Sequence, residues 1–160
     1  MFSYLRFLLK STNQHGVHSP FVYNYLTKGV YKKNMFKYVQ SKTNQWILQS
    51  IEYFNPNEIC FLDNGLSVVA RELHAKKSIE LIKADLILDR YNSENEQQIL
   101  ATIQQMDANQ LLLLGLYTYP EDFMNQLRNL PEITLVVDFY CGCLISKRTE
   151  QQKQNFFIRY

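Results

Sequence analysis

Glycine is scarce in this chain, with five among 160 residues, and a surplus of charge of either sign is missing: 17 basic and 15 acidic side chains leave a net charge of +2. So even a balance gives no electrostatic case for nucleic acid or an anionic membrane as an obligatory partner. Cysteine is also sparse. Cys60, Cys141 and Cys143 make an odd count, unsuited to a disulfide framework, and imply free thiols in a reducing compartment. Cys141 and Cys143 flank Gly142 in a strand-like run, so the alternation of a strand predicts that they share one sheet face. Long hydrophobic runs are absent as well. The opening MFSYLRFLLK is too short to span a bilayer and lacks a basic leader with a small-residue cleavage site, which predicts a cytoplasmic protein.

What is present suits one globular domain: 46% hydrophobic and 20% charged residues, enough chain to bury about two thirds of its unfolded surface. Phe2, Leu5, Leu8 and Leu9 predict a short amphipathic helix that packs on the domain or on a neighbour. After Gly16, Ser19 is a good N-cap and Pro20 suits the first helical position, so a second helix is expected to bury Phe21, Tyr25 and Leu26 and to stop near Gly29. His15 and His18 lie on the intervening turn with no third ligand evident, which favours imidazoles bonded to the loop backbone over a metal site. A third helix over residues 44–54 places Trp46, Ile47, Ile51 and Phe54 on one face, with Asn44 available as its cap.

Residues 59–67, ICFLDNGLS, carry the most information. An apolar strand that runs into an acidic residue and glycine resembles a nucleotide-binding βα turn, in which glycines let backbone amides approach a ligand at the next helix's positive end. Here only Asp63 and Gly65 remain. Ser67, Val68 and Val69 carry Cβ atoms into the space that further glycines would leave open. A helix over 68–76 should follow. The stretches SIELI and DLILDRY then offer two strands with no room for a crossover helix between them, so at most one can be an interior parallel strand of that pattern.

From residue 93 the alternation is regular. Ser93 caps a helix through Met106 that turns Ile99, Leu100, Ile103 and Met106 inward; LLLLG reads as a strand buried on both faces. Pro120 opens a helix carrying Phe123, Met124, Leu127 and Leu130. Strands over 133–139, 142–147 and 154–160 form a terminal antiparallel set, with Lys147, Arg148, Lys153 and Arg159 as a solvated, charged hairpin edge. Tyr117, Tyr119, Phe123 and Tyr140 gather at predicted strand ends, where a planar ligand could stack, although core packing explains most of them.

HGVHSPFVYNYLTKGVY near the start, with CGCLISKR and EQQKQNFFIRY near the end, resembles a group of bacterial class I S-adenosylmethionine-dependent methyltransferase-like proteins with an HGxHSPF signature. The resemblance implies a Rossmann-like, three-layer α/β sandwich with a reduced, mixed sheet, an N-terminal helical segment (1–54), a core (55–160) and C-terminal antiparallel strands, all in one domain. Relative to that group the chain is shortened between ICFLDNG and DLILDRY.

Cofactor contacts implied by the resemblance fall on Asp63, Gly65 and Ser67 of the first loop, on Glu80 after the second strand, and on Asp89 in LILDRY. Relatives that use a divalent ion carry an Asp-Asp pair where this chain has Leu114 and Gly115, so no metal is expected. Each buried polar group left unpaired costs roughly 1–3 kcal/mol, and losing several ligand contacts weakens binding about a thousandfold at ~1.4 kcal/mol per decade. The expectation is weak or no binding of S-adenosylmethionine and a degenerate catalytic site. Two alternatives stand beside it: a non-catalytic interaction module that forms a homodimer through the N-terminal helices, and an active small-molecule methyltransferase with an atypical site built on Asp63, Gly65 and Asp89. Neither nucleic acid nor a membrane is an expected partner.

Overall fold

In the computed structural model the residues described are 2–32, 36–63, 65–66, 76–78, 80–149 and 152–160. Helix α1 (Phe2–Lys10) leads into a 3-10 turn at Gln14–Gly16, and α2 (Pro20–Asn24) continues as a π-helix over Tyr25–Val30. Ser19 accepts a hydrogen bond from the Val22 amide at 3.5 Å and Pro20 follows it, as the sequence predicts. The helix ends at Val30, one residue past Gly29, close to where the sequence places the stop, and Tyr53 packs against Gly29: a Cβ there would sit 2.8 Å from the ring's Cγ. Helix α3 (Lys42–Phe54) is capped by Ser41, whose side chain accepts from the Asn44 amide at 3.3 Å, so Asn44 is a residue of the first turn and not the cap.

Among the described residues seven strands form one mixed sheet: β1 (Glu58–Phe61), β2 (Lys76–Ser78), β3 (Leu86–Arg90), β4 (Leu111–Gly115), β5 (Leu135–Asp138), β6 (Gly142–Ser146) and β7 (Gln154–Phe157), in the order β2-β1-β3-β4-β6-β5-β7. Helices α4 (Glu96–Gln105) and α5 (Glu121–Asn129) precede and follow β4. Only β6 runs against the rest, between β4 and β5. The chain is therefore an α/β protein with a mostly parallel sheet. Strand β7 corrects the expected C-terminal antiparallel set: it pairs parallel with β5, Val137 opposite Phe156, and makes no hairpin with β6 because β5 lies between them. Its outer side is met by the segment after α1, where Thr12 bridges Ile158.

Alternation sorts the strand residues into two cores. Ile59, Leu86, Leu88, Leu113, Leu135, Val137 and Leu144 pack with Val22, Tyr25, Leu26, Trp46, Ile47 and Ile51 of α2, its π-helical extension and α3. The neighbouring residues Cys60, Ile87, Leu112, Leu114, Val136, Cys143 and Ile145 pack with Ile99 and Ile103 of α4 and Phe123, Met124 and Leu127 of α5. Helices thus cover both faces. Burying each such aliphatic side chain stabilises the fold by roughly 1.5–3 kcal/mol, which explains why LLLLG is apolar almost throughout. In β6, Gly142 gives Trp46 its place: a Cβ would lie 2.3 Å from the indole.

Other expectations need revising. The predicted helix over 68–76 lies outside the described residues except for Lys76, which opens β2. SIELI is not one strand: β2 takes only its first residue, and Leu81–Lys83 form a 3-10 turn. Strands β2 and β3 flank β1 on opposite sides, so no helical crossover between adjacent partners is required. The residue before α4 is Asn95, reached through a turn in which Asn92 accepts from the Glu94 and Asn95 amides, so Ser93 is not the cap.

Of the stripe predicted for α1, Leu8 is half-buried while Leu5 and Leu9 do not pack on the domain. Phe7 is buried by edge contacts with Tyr119, Tyr140 and Phe157, and this anchor turns Leu5 and Leu9 to solvent, 53% and 88% exposed. His15 and His18 are exposed, and the His15 ring contacts Gln14 and not the backbone. The three cysteines are free, but Cys141 precedes β6 at a bend after Tyr140, whose φ is 66°, and packs on the opposite face from Cys143.

The basic residues near the end form ties and not a solvated edge. Lys147 Nζ donates to the carbonyls of Ile103, Gln104 and Met106 at the end of α4, Lys153 to Leu130, and Arg159 to Ser11, while Arg148 lies over the Phe21 ring. Cations are favourable at a helix's carboxyl end, where carbonyls lack partners.

Candidate functional site

In an open α/β sheet, ligands bind beyond the carboxyl ends of the strands where successive strands diverge to opposite sides. Here that point lies between β1 and β3, because β2 is laid on one side of β1 and β3 on the other. Asp63 leaves β1 at this point, and Asp89 stands one residue from the end of β3.

Asp63 Oδ1 accepts the Gly65 amide at 2.6 Å, while Oδ2 lies 3.4 Å from a terminal nitrogen of Arg90. The arginine leans over the turn. A Cβ on Gly65 would come 3.0 Å from the Asp63 carboxylate and 3.4 Å from the Arg90 guanidinium, so the space beside the glycine is already occupied by this pair. On its other side Arg90 stacks on the exposed ring of Tyr117, 4.7 Å from guanidinium carbon to ring centre.

Asp89 is buried beneath them. One oxygen accepts the Arg90 amide at 2.8 Å, and the other has no partner among the described residues. Burial pushes its carboxyl up to about 6, opposed by that amide and assisted by the charge of Asp63. Burial, and then the charge of Asp89, also raises the Cys60 thiol. Arg90 Nε is likewise buried without a partner among the described residues. Two unsatisfied polar atoms, an acceptor and a donor, therefore sit at the mouth of the sheet.

Of the residues singled out in the sequence, Asp63, Gly65 and Asp89 come together here. Ser67 lies outside the described residues. Glu80 follows β2 on the surface, where its carboxylate meets Lys83 at 2.8 Å. Leu114 is fully buried in β4 and Gly115 ends that strand against Thr43 and Ile47. Among the described residues no three His, Cys, Asp or Glu side chains are grouped to hold a metal ion, and no helix is long and apolar enough to cross a membrane.

Arg90 and a further carboxylate, Asp138, are not singled out in the sequence, whereas Tyr117 is, as one of the aromatics at predicted strand ends. Asp138 closes β5 and is bound by Arg128, by the Tyr119 hydroxyl at 2.5 Å and by the Tyr140 amide at 2.9 Å. Burial raises its carboxyl while Tyr119, Tyr140 and Arg128 pull it down. Tyr119 and Tyr140 stack at 4.7 Å, and Phe7 packs on both. The shared signal was legible: FLD, LILD and LVVD each carry an apolar strand into aspartate. Compared with known proteins, the chain matches no family model and no curated protein.

Proposed function

We propose that the chain is a degenerate relative of the class I S-adenosylmethionine-dependent methyltransferases, a Rossmann-like protein with a reduced sheet that binds the methyl donor weakly or not at all. Two features support the reading besides the HGVHSPF and C-terminal motifs. The order β2-β1-β3-β4 matches the doubly wound pattern, with no strand beyond β2 among the described residues, and the acidic loop stands at the divergence of β1 and β3.

The Asp63–Arg90 pair over Gly65 carries the proposal of degeneracy. An adenosyl ligand would have to enter where the guanidinium lies, break its contacts with Asp63 and Tyr117, and find hydroxyl acceptors in a loop whose acid is already engaged. Calorimetric titration with S-adenosylmethionine and S-adenosylhomocysteine tests this. No saturable heat at millimolar ligand is the expected result; micromolar binding lost in Asp63→Ala would overturn the proposal and favour the atypical enzyme instead.

A second reading, an interaction module, draws on α1. Its Leu5 and Leu9 flank is exposed next to a half-exposed Tyr4, an apolar surface suited to a second copy of the chain. Sedimentation tests it: a concentration-dependent dimer abolished by Leu5→Glu with Leu9→Glu supports it, and a monomer at all concentrations removes it.

A further inference from the structure

The π-helix over Tyr25–Val30 and helix α3 border a cleft of about 360 Å³ that shares no lining residue with the Asp63 mouth. Its size falls within the span of small-molecule sites. Where Gly29 touches Tyr53 the two elements meet too closely for any Cβ, and the π-helical turn ends directly beyond that contact. Wide turns of this kind recur at functional sites.

The lining has a definite chemistry. Lys28 and Lys32 stand exposed at the rim, and neither forms an ion pair among the described residues. Glu52 adds a single opposing charge, so the lining is net positive. Gln49 is buried with its amide orientation fixed: Oε1 accepts the Tyr160 hydroxyl at 2.6 Å and Nε2 donates to the Val30 carbonyl at 3.3 Å. That leaves the amide's second N–H able to donate. Phe36 and Tyr53 supply ring surface.

We infer that this cleft binds a small organic anion, a carboxylate or phosphate carried on an apolar body, with the charge between Lys28 and Lys32 and the body against Tyr53 and Phe36. Carboxylate and phosphate are both satisfied by lysines, which act as point charges and do not demand a planar fork. Glu52 disfavours a ligand with a second negative group on its side of the cleft.

The test is an amide NMR titration of the full chain with phenylbutyrate, its phosphate analogue phenylbutyl phosphate and its neutral analogue phenylbutanol. Saturable shifts centred on Gly29, Lys32 and Tyr53, with either anion binding about tenfold tighter than the alcohol, are the expected result. The Lys28→Glu, Lys32→Glu double variant changes only exposed residues and should remove that preference. The inference is overturned if no probe saturates, if the shifts centre elsewhere, if the alcohol binds as well as the acids, or if charge reversal leaves the preference intact. The relative tightness of the two anions identifies which head group the site selects. None of these outcomes depends on whether S-adenosylmethionine binds at Asp63.

Discussion

Two aspartate–arginine pairs stand at the carboxyl edge of the same sheet, and their surroundings give them different work. Asp138 and Arg128 are enclosed: the carboxylate takes hydrogen bonds from a guanidinium, a phenol and a backbone amide, and the arginine also covers the Phe157 ring. Asp63 and Arg90 meet at 3.4 Å with both side chains between a fifth and a quarter exposed, above a carboxylate that keeps one oxygen unpaired. The first is a tie that seats α1 through Phe7, Tyr119 and Tyr140. The second is a mouth held partly shut. Paired charges therefore do not by themselves mark a site, and neither does an unpartnered arginine Nε, which Arg90 and Arg128 share; the unpaired oxygen of the buried Asp89 carboxylate is what sets the mouth apart.

The largest expected effect breaks the buried tie. Asp138→Ala strands the Arg128 charge and should cost about 3–5 kcal/mol in urea unfolding, with the near-ultraviolet signal of the Tyr119–Tyr140 stack lost. Next comes pH. Burial raises Asp89 from an ordinary 3.8 to about 6 in the folded protein, so the folded state holds that proton more tightly than the unfolded chain. Its contribution is full below about pH 4 and is lost as pH rises through about 6, and Asp89→Asn should remove roughly 1–3 kcal/mol of that decline between pH 4 and 7. Urea midpoints across that range check the sign.

Smaller effects sharpen the contrast. Tyr119→Phe deletes the hydroxyl's bond to Asp138 and the one it accepts from Arg128, while Arg128 and the Tyr140 amide still hold Asp138, a loss of about 1–2 kcal/mol. Asp63→Ala should cost less, about 1 kcal/mol, since the pair meets at 3.4 Å and both side chains reach solvent. If Asp63→Ala proved as damaging as Asp138→Ala, the two pairs would share one structural role and the comparison would fail.

Legibility in the sequence followed the same division. Patterns that report burial were readable: LLLLG as a strand covered on both faces, Ile99 and Ile103 inward on α4, Ser19 and Pro20 opening α2. Each rests on periodicity or a local cap. What depends on a distant partner was not. Leu5 and Leu9 sit at good helical spacing, yet three rings from residues 119, 140 and 157 rotate α1 around Phe7. The last strand has no local feature that distinguishes pairing with β5 from a hairpin with β6; Gly142 and Trp46 help to decide it, because β6 needs a flat approach to α3 and sits inside the sheet. At the mouth, the aspartates and Gly65 were visible by type and position. Arg90 was not, because a cation after a buried strand usually faces solvent and only the folded turn brings it back over Asp63.

The Gly65 amide reports the mouth directly, since its hydrogen is held by Asp63 beneath the Arg90 guanidinium. Following that resonance during titration with S-adenosylhomocysteine separates the outcomes without a catalytic assay. The Asp63–Arg90 closure predicts a signal that stays in place at millimolar ligand. A saturable displacement at micromolar ligand would contradict it.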